Sequence, residues 1–227
     1  MGMLATAGAG GAPGPRERTP TAAPHRRAPS GQPLVRLLSD HLVHAAPRAD
    51  ARRIGWVAGR RPLTGVRTAL PVLGRAGRWV HVRLPGRPNG HAGWISADGT
   101  RRAITAWRIV IRLSSRLVTV YRRGLVQGRF RAIVGRADAP TPRGRFFVEE
   151  GIALTRLGRP YALAASARSR VYDEFAGGPG QVALHGTTDL PGALGTAVSH
   201  GCVRLSPHAM RWLSRRIRPG TPLTIRR

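Results

Sequence analysis

The sequence predicts a mainly β protein in two parts, with one short helix near its C-terminal end. Residues Trp79–Leu84 and Trp107–Val120 alternate apolar and polar side chains with period two, the pattern of half-buried strands. Gly and Pro interrupt the apolar runs, which is typical of short strands joined by tight turns. The helix signal is Ser206-Pro207, with Ser suited to the N-cap and Pro to the first helical position.

The composition indicates a folded chain with a strong positive charge. Of the 227 residues, 41% are hydrophobic, enough to build a core. The formal net charge is +28, from 38 basic and 10 acidic residues. Such a charge draws a protein towards polyanions, among them nucleic acid, anionic lipid and an anionic cell wall. No RNA-binding or helix-turn-helix pattern accompanies the arginines, so nucleic acid is not expected as the main partner.

The first part of the chain divides into a leader and a small β module. Residues 1–33 are rich in Gly, Ala, Pro and Arg, and we expect them to be disordered or a processed leader. Residues 1–15 lack the basic and apolar regions of a signal peptide, and the chain has no run of about 18 apolar residues to offer a transmembrane segment. Residues 34–100 predict a small barrel, in which Trp79 and Trp94 are expected to pack in the core rather than bind a ligand. The polar stretch 97–105 is expected to be a linker.

The second part, residues 105–227, predicts a larger β domain. A hairpin turns at Ser114-Ser115, and a loop with two prolines over 138–144 precedes a strand at 145–148. Within residues 151–180, the stretch 162–169 is compatible with a strand, and the region as a whole leaves two alternatives open, a surface loop or a rim over a substrate groove. The helix is predicted from about Pro207 to Ile217, and a last strand follows at 222–225.

The candidate site lies around Cys202, the only cysteine. In an extended segment, His200, Cys202 and Arg204 would share one face. A thiolate can attack an acyl group, an imidazole can move the proton, and a guanidinium can hold a carboxylate. The Gly201 and Cys202 N–H groups are candidates for an oxyanion hole, and Ser199 is expected to bond an imidazole. The alternative is a small, inert, buried cysteine.

A second histidine, His185, precedes Gly186 and Thr187. A strand beside the cysteine strand would let His185 face the thiol, and we assign it as general base. The rival base is His200, but its place about 6.5–7 Å along the strand from Cys202 is far for a direct hydrogen bond. We therefore assign His200, Gly186 and Thr187, together with Ser199, Gly201 and Arg204, to substrate binding or the oxyanion hole. Asp189 is the weaker candidate for a third catalytic member.

These segments resemble the L,D-transpeptidases of the YkuD family. The resemblance lies in HGT at 185–187, SHGCVR at 199–204 and APTPRGRF at 139–146, and covers about residues 105–227. Arg204 stands where many members have Asn. Residues 79–82 and 93–95 resemble a bacterial SH3-like domain. The expected fold is therefore an SH3-like barrel followed by a YkuD-like β-sandwich.

The resemblance implies a cysteine-dependent acyltransferase acting on peptidoglycan stem peptides. Cys202 would form a thioester with release of D-alanine, and the amine of a second stem would complete a 3→3 cross-link. The resemblance also implies acylation by carbapenems, no metal or organic cofactor, and an extracytoplasmic location at the cell wall. Three alternatives stay open: an L,D-carboxypeptidase with water as acceptor, a non-catalytic wall-binding protein, and a polyanion-binding protein.

Overall fold

The structure, a computed structural model, describes residues 31–153, 161–174, 178–187 and 190–227. Strands dominate these residues, which contain one helix, so the mainly β prediction is confirmed. The predicted leader falls almost entirely on residues 1–30, outside the described residues.

The N-terminal module, residues 31–105, forms one seven-stranded sheet. Val80 and Val82 are fully buried while their neighbours are half-exposed, which confirms the strand predicted from Trp79. Its identity as an SH3-like barrel stays a prediction. Its strands, in the spatial order β3-β2-β6-β5-β4-β1-β7, are β1 (Gln32–Leu37), β2 (His41–His44), β3 (Arg53–Val57), β4 (Ala69–Ala76), β5 (Trp79–Arg83), β6 (Ala92–Ser96) and β7 (Thr100–Thr105).

Two predictions for this module are wrong. The stretch expected to be a linker contains β7, which pairs antiparallel with β1 at the edge of the sheet. Its apolar signal is weak because an edge strand faces solvent and tolerates charge, here Arg101 and Arg102.

Trp79 and Trp94 are half-buried outside the apolar core cluster, contrary to the second prediction. Each packs against a histidine ring instead, at centroid distances of 5.0 and 4.7 Å.

The C-terminal module is organised around an eight-stranded sheet. The predicted hairpin is confirmed as β8 (Trp107–Arg112) and β9 (Leu117–Arg122), and β8 also pairs in parallel with the last strand, β17 (Pro222–Arg226). In the order β10-β9-β8-β17-β12-β13-β14-β16, the strands are β8 (Trp107–Arg112), β9 (Leu117–Arg122), β10 (Leu125–Arg131), β12 (Gly144–Ala153), β13 (Tyr161–Arg168), β14 (Gln181–Gly186), β16 (Val203–Leu205) and β17 (Pro222–Arg226). Two short strands, β11 (Val134–Gly135) and β15 (Ala197–Ser199), pair separately in parallel.

The helix α1 (Pro207–Ser214) covers the apolar face of this sheet. Its N-cap is Ser206, whose hydroxyl accepts the Ala209 N–H at 3.2 Å, as the sequence predicts. Met210 and Leu213 are buried in the main core cluster. The helix ends at Ser214 rather than at Ile217, although the Ile217 side chain still belongs to that core.

A buried ion network joins the two modules. Arg61 of the N-terminal module and Arg168 of β13 both contact Glu149 of β12, the latter at 3.0 Å. Burial, with a smaller effect of the nearby Arg87, lowers the pKa of Arg168 to about 10. The Thr64 N–H and hydroxyl donate to Glu150, at 3.1 and 2.7 Å. A carboxylate at position 149 therefore neutralises guanidinium groups from both sides of the module boundary.

We predict that Glu149→Ala lowers the free energy of unfolding by about 3–5 kcal/mol, because it leaves buried guanidinium groups without their counter-charge. Urea denaturation at neutral pH measures the change. The control is Asp98→Ala, which removes the carboxylate of the exposed pair with Arg78 and is expected to change stability little. Equal effects of the two substitutions would contradict the prediction.

Candidate active site

The register between β14 and β16 decides where the candidate catalytic side chains lie. These parallel strands pair Leu184 with Val203 and His185 with Arg204. Leu184 and Val203 point into the core, and because side chains alternate along a strand, His185 and Arg204 point to the opposite face. Cys202 directly precedes the first residue of β16, and the backbone of Ala183, on β14, hydrogen-bonds to its side chain. The thiol therefore lies beside the strand that carries His185.

The ring orientation of His185 is fixed by its own strand. Its Nδ1 lies 2.9 Å from the Gly186 carbonyl oxygen. A carbonyl only accepts, so Nδ1 carries the hydrogen and Nε2 keeps the lone pair. A half-buried imidazole in this tautomer is suited to accept a proton at Nε2.

Cys202 is half-buried, and burial raises the pKa of its thiol. The Ala183 backbone and the charge of Arg204 act in the opposite direction but do not outweigh burial. The surplus of arginine in the sequence therefore does not lower the pKa of this thiol below its ordinary value. Most of the arginine charge lies at the surface, where water screens it. The sulfur rests as a neutral thiol and needs a base to become a nucleophile.

The backbone bends between His200 and Cys202, so the two do not lie on one continuous strand. Gly201 has φ of +114°, a conformation that favours glycine, and β16 begins only at Val203. His200 is exposed, and Arg136 donates to its Nε2 at 3.0 Å. The Tyr172 ring lies edge-on to His200 at 6.1 Å. A role for His200 in shaping the pocket stays a prediction.

Ser199 is fully buried and bonds to the backbone, not to an imidazole as expected. Its hydroxyl donates to the Cys202 carbonyl oxygen at 2.5 Å and accepts the Gly201 N–H at 3.2 Å. The Gly201 N–H, one of the two expected oxyanion donors, is therefore used within the loop. Ser199 positions the segment that carries the thiol.

Arg204 is 7% exposed, so it differs from the many arginines that lie on the surface. It donates to the Pro191 carbonyl oxygen at 2.9 Å and lies close enough to influence the pKa of Cys202. Binding of a substrate carboxylate by Arg204 stays a prediction.

Gly186 is buried at the end of β14, and the Thr187 carbonyl oxygen accepts the Leu190 N–H at 3.0 Å.

Thr141 connects the predicted proline-containing turn to the cysteine loop. Its hydroxyl donates to the Gly201 carbonyl oxygen and accepts the Gly135 N–H, both at 2.9 Å. Sequence reasoning noted the turn but missed this contact, as it missed Arg136 and Tyr172 beside His200, because each is distant in sequence from its partner. The candidate third member, Asp189, lies outside the described residues.

Two further properties bear on the site. Within the described ranges, no three His, Cys, Asp or Glu side chains cluster as metal ligands would. None of the residues described by the structure forms a helix with the length and apolar character to cross a bilayer.

The chain is similar to known L,D-transpeptidases in sequence and in structure. The family model for the L,D-transpeptidase catalytic domain (YkuD) matches residues 106–225. An L,D-transpeptidase from Mycobacterium smegmatis is 20% identical, with a TM-score of 0.43, over 66% of this chain and 91% of that one. L,D-transpeptidase 3 from Mycobacterium tuberculosis is 15% identical, with a TM-score of 0.48, over 70% and 91%. A search of curated proteins found no match.

We predict that alkylation of Cys202 by iodoacetamide rises about tenfold per pH unit between about pH 6 and pH 8.5 without a plateau. Burial disfavours the charged thiolate, so its fraction stays small throughout this range. Intact-protein mass spectrometry measures the rate, and Cys202→Ala is the unlabelled control. A plateau near neutral pH would show a thiol pKa that is lowered, contrary to the prediction.

We predict that Thr141→Val lowers the free energy of unfolding by about 1–3 kcal/mol, because it leaves the half-buried Gly135 N–H and the buried Gly201 carbonyl oxygen without this partner. The matched control is Thr68→Val. The Thr68 hydroxyl is equally buried but bonds to no described residue, so its removal should be neutral or stabilising. Thermal denaturation of both variants measures the difference, and equal losses would argue against a positioning role for Thr141.

Proposed function

Because the chain belongs to the L,D-transpeptidase (YkuD) catalytic domain family, we propose that it is a peptidoglycan L,D-transpeptidase working through Cys202. Its substrate would be a stem tetrapeptide that ends in D-alanine, and its product a 3→3 cross-link between two stems. The observation that carries the proposal is the register of β14 and β16, which brings His185 beside the segment that carries Cys202, with Nδ1 of His185 held by the Gly186 carbonyl oxygen.

Acylation begins from the neutral thiol. His185 Nε2 takes the proton of the Cys202 thiol, and the resulting thiolate attacks the carbonyl carbon between the third stem residue and the terminal D-alanine. The tetrahedral intermediate then collapses: the C–N bond breaks, the imidazolium returns the proton to the leaving amine, and D-alanine departs. A thioester on Cys202 remains. Because burial favours the neutral thiol, the sulfur depends on this proton transfer to become a nucleophile.

The thioester passes its acyl group to the side-chain amine of a second stem. His185 accepts a proton from that amine as it attacks, the C–S bond breaks, and Cys202 recovers its proton. Water in place of the amine gives a tripeptide, the L,D-carboxypeptidase outcome. Whether amine or water wins depends on which acceptor reaches the thioester, so the products distinguish the two activities.

The surrounding residues receive supporting roles. The Cys202 N–H is our candidate oxyanion donor, since the Gly201 N–H is used by Ser199. Gly186 and Thr187, at the end of the strand that carries His185, line the substrate side. His200, exposed at the mouth of the site, contacts the stem peptide, and Arg204 attracts its carboxylate while holding the loop at Pro191. An enzyme of this kind works outside the cytoplasm, at the cell wall.

We predict that the purified chain converts a disaccharide-tetrapeptide into a cross-linked dimer with release of D-alanine, followed by mass spectrometry. Cys202→Ala should abolish turnover because no nucleophile remains. His185→Gln should reduce turnover about 10²–10⁴-fold because the general base is lost. His208→Gln, an exposed helix position, is the matched control and should leave turnover unchanged.

Three other results would change the proposal. Tripeptide without dimer would assign the chain as an L,D-carboxypeptidase. Turnover retained in Cys202→Ala would remove the thiol from the mechanism. Substrate binding without any product would indicate a wall-binding protein.

A further inference from the structure

Six arginines line a groove away from Cys202, on the outer face of the C-terminal module where it meets the N-terminal module. We call this the arginine groove. It consists of three adjoining cavities that share Tyr121, and the two larger measure about 510 and 350 Å³. The arginines that line it are Arg83, Arg108, Arg112, Arg129, Arg145 and Arg226.

Strand alternation directs these side chains outward. On β8, Ile109 and Ile111 are buried in the core, so Arg108 and Arg112 lie on the outer face. The parallel strand β17 places Arg226 directly opposite Arg112. Like charges at directly opposed positions destabilise a sheet. The fold therefore keeps the Arg112 and Arg226 guanidinium groups on opposed positions, and a bound anion would reduce the repulsion between them.

Both modules contribute to the positive charge of the groove. Arg83, on β5 of the N-terminal module, meets Arg145, on β12 of the C-terminal module. Burial lowers the pKa of Arg83, and the charge of Arg145 lowers it further. Two cations are thus held together in a partly desolvated cleft at the module boundary.

No carboxylate compensates these arginines. Among the described residues, none of the six has an Asp or Glu oxygen within 4.0 Å. The carboxylates pair instead with other arginines, such as Arg61, Arg136 and Arg168. The arginine groove therefore concentrates positive charge where the fold does not use it for its own ion pairs.

We propose that the arginine groove binds a linear wall polymer whose sugar or polyol units are joined by phosphodiesters. Guanidinium groups bind phosphate oxygens in pairs, through a planar fork of donors. Arg108 and Arg112 are four residues apart on one strand, so the groove is about 13 Å long and spans about two successive phosphates. The choice of a wall polymer rests on the proposed function, which brings the chain to the cell wall.

The aromatic side chains of the groove favour this polymer over nucleic acid. Proteins that bind single-stranded nucleic acid offer free aromatic faces on which bases stack. Here the Arg108 guanidinium lies 4.7 Å from the centroid of the Tyr121 ring, and that of Arg122 lies 5.5 Å from the Trp107 ring. Cations already cover one face of each ring, so the groove is built for charge rather than for stacking.

The position of the groove suits an enzyme that must stay on its insoluble substrate. In the strand order, β8 and β14 are separated by β17, β12 and β13. Four steps of about 4.8 Å place the groove about 19 Å across the sheet from the strand that carries His185. A polymer bound in the groove therefore leaves the region around Cys202 accessible to a stem peptide.

The test measures binding of a fluorescein-labelled synthetic oligo(glycerol phosphate) to the full chain by fluorescence anisotropy. At about 0.15 M salt, Arg112→Gln/Arg226→Gln should weaken binding at least about tenfold and flatten the salt dependence by about two phosphate contacts. The matched control, Arg52→Gln/Arg53→Gln, removes the same charge from exposed positions outside the groove and should weaken binding less than about twofold.

Equal losses in the two double variants would overturn the proposal, because net charge alone would then explain binding. Tighter groove-dependent binding of a single-stranded oligonucleotide would overturn the choice of a wall polymer over nucleic acid. Tighter groove-dependent binding of oligoglutamate would overturn the choice of phosphodiesters. The measurement is repeated on Cys202→Ala, which cannot turn over substrate. Cys202→Ala should bind the polymer as the wild type does, and weaker binding would argue against a groove separate from the thiol. If the wild-type chain shows groove-dependent binding but no transpeptidase activity, the proposed function alone is overturned; if it shows activity without groove-dependent binding, the groove alone is overturned.

Discussion

The parallel register between β14 and β16 is the constraint on which the candidate site depends. It places Leu184 and Val203 in the core and His185 and Arg204 on the opposite face. A slip of one residue would reverse both sets, putting an imidazole among apolar side chains and a leucine in water. The same burial that fixes the register raises the pKa of the neighbouring thiol. Stability of the fold and dependence of the sulfur on a base therefore have one origin.

The cysteine loop is held mainly through its backbone. Thr141 bonds the Gly201 carbonyl oxygen, and Ser199 bonds both the Gly201 N–H and the Cys202 carbonyl oxygen. These contacts leave the thiol as the group that the loop presents. In such an arrangement the polar residues of the motif divide into those that hold the loop and those that meet a substrate, a division that residue type alone does not reveal.

The sequence predicted what depends on local pattern. Period-two alternation identified the hairpin after Trp107, and Ser206-Pro207 identified the helix start. The strand within 97–105 escaped because Arg101 and Arg102 mask the alternation of an exposed edge. Bonds between distant residues, such as that of Thr141 to Gly201, have no local signal. The pKa of Cys202 escaped because it depends on burial, which composition does not report.

The strand β12 belongs to two cores at once. Phe147 packs with Val35, Leu37 and other apolar residues of the N-terminal module, while its neighbour Val148 packs in the core of the C-terminal module. This stretch of backbone contributes side chains to both cores, so the N-terminal module packs directly against the C-terminal module. Separating the two modules would therefore take the aromatic ring of Phe147 out of the N-terminal core and expose it to water.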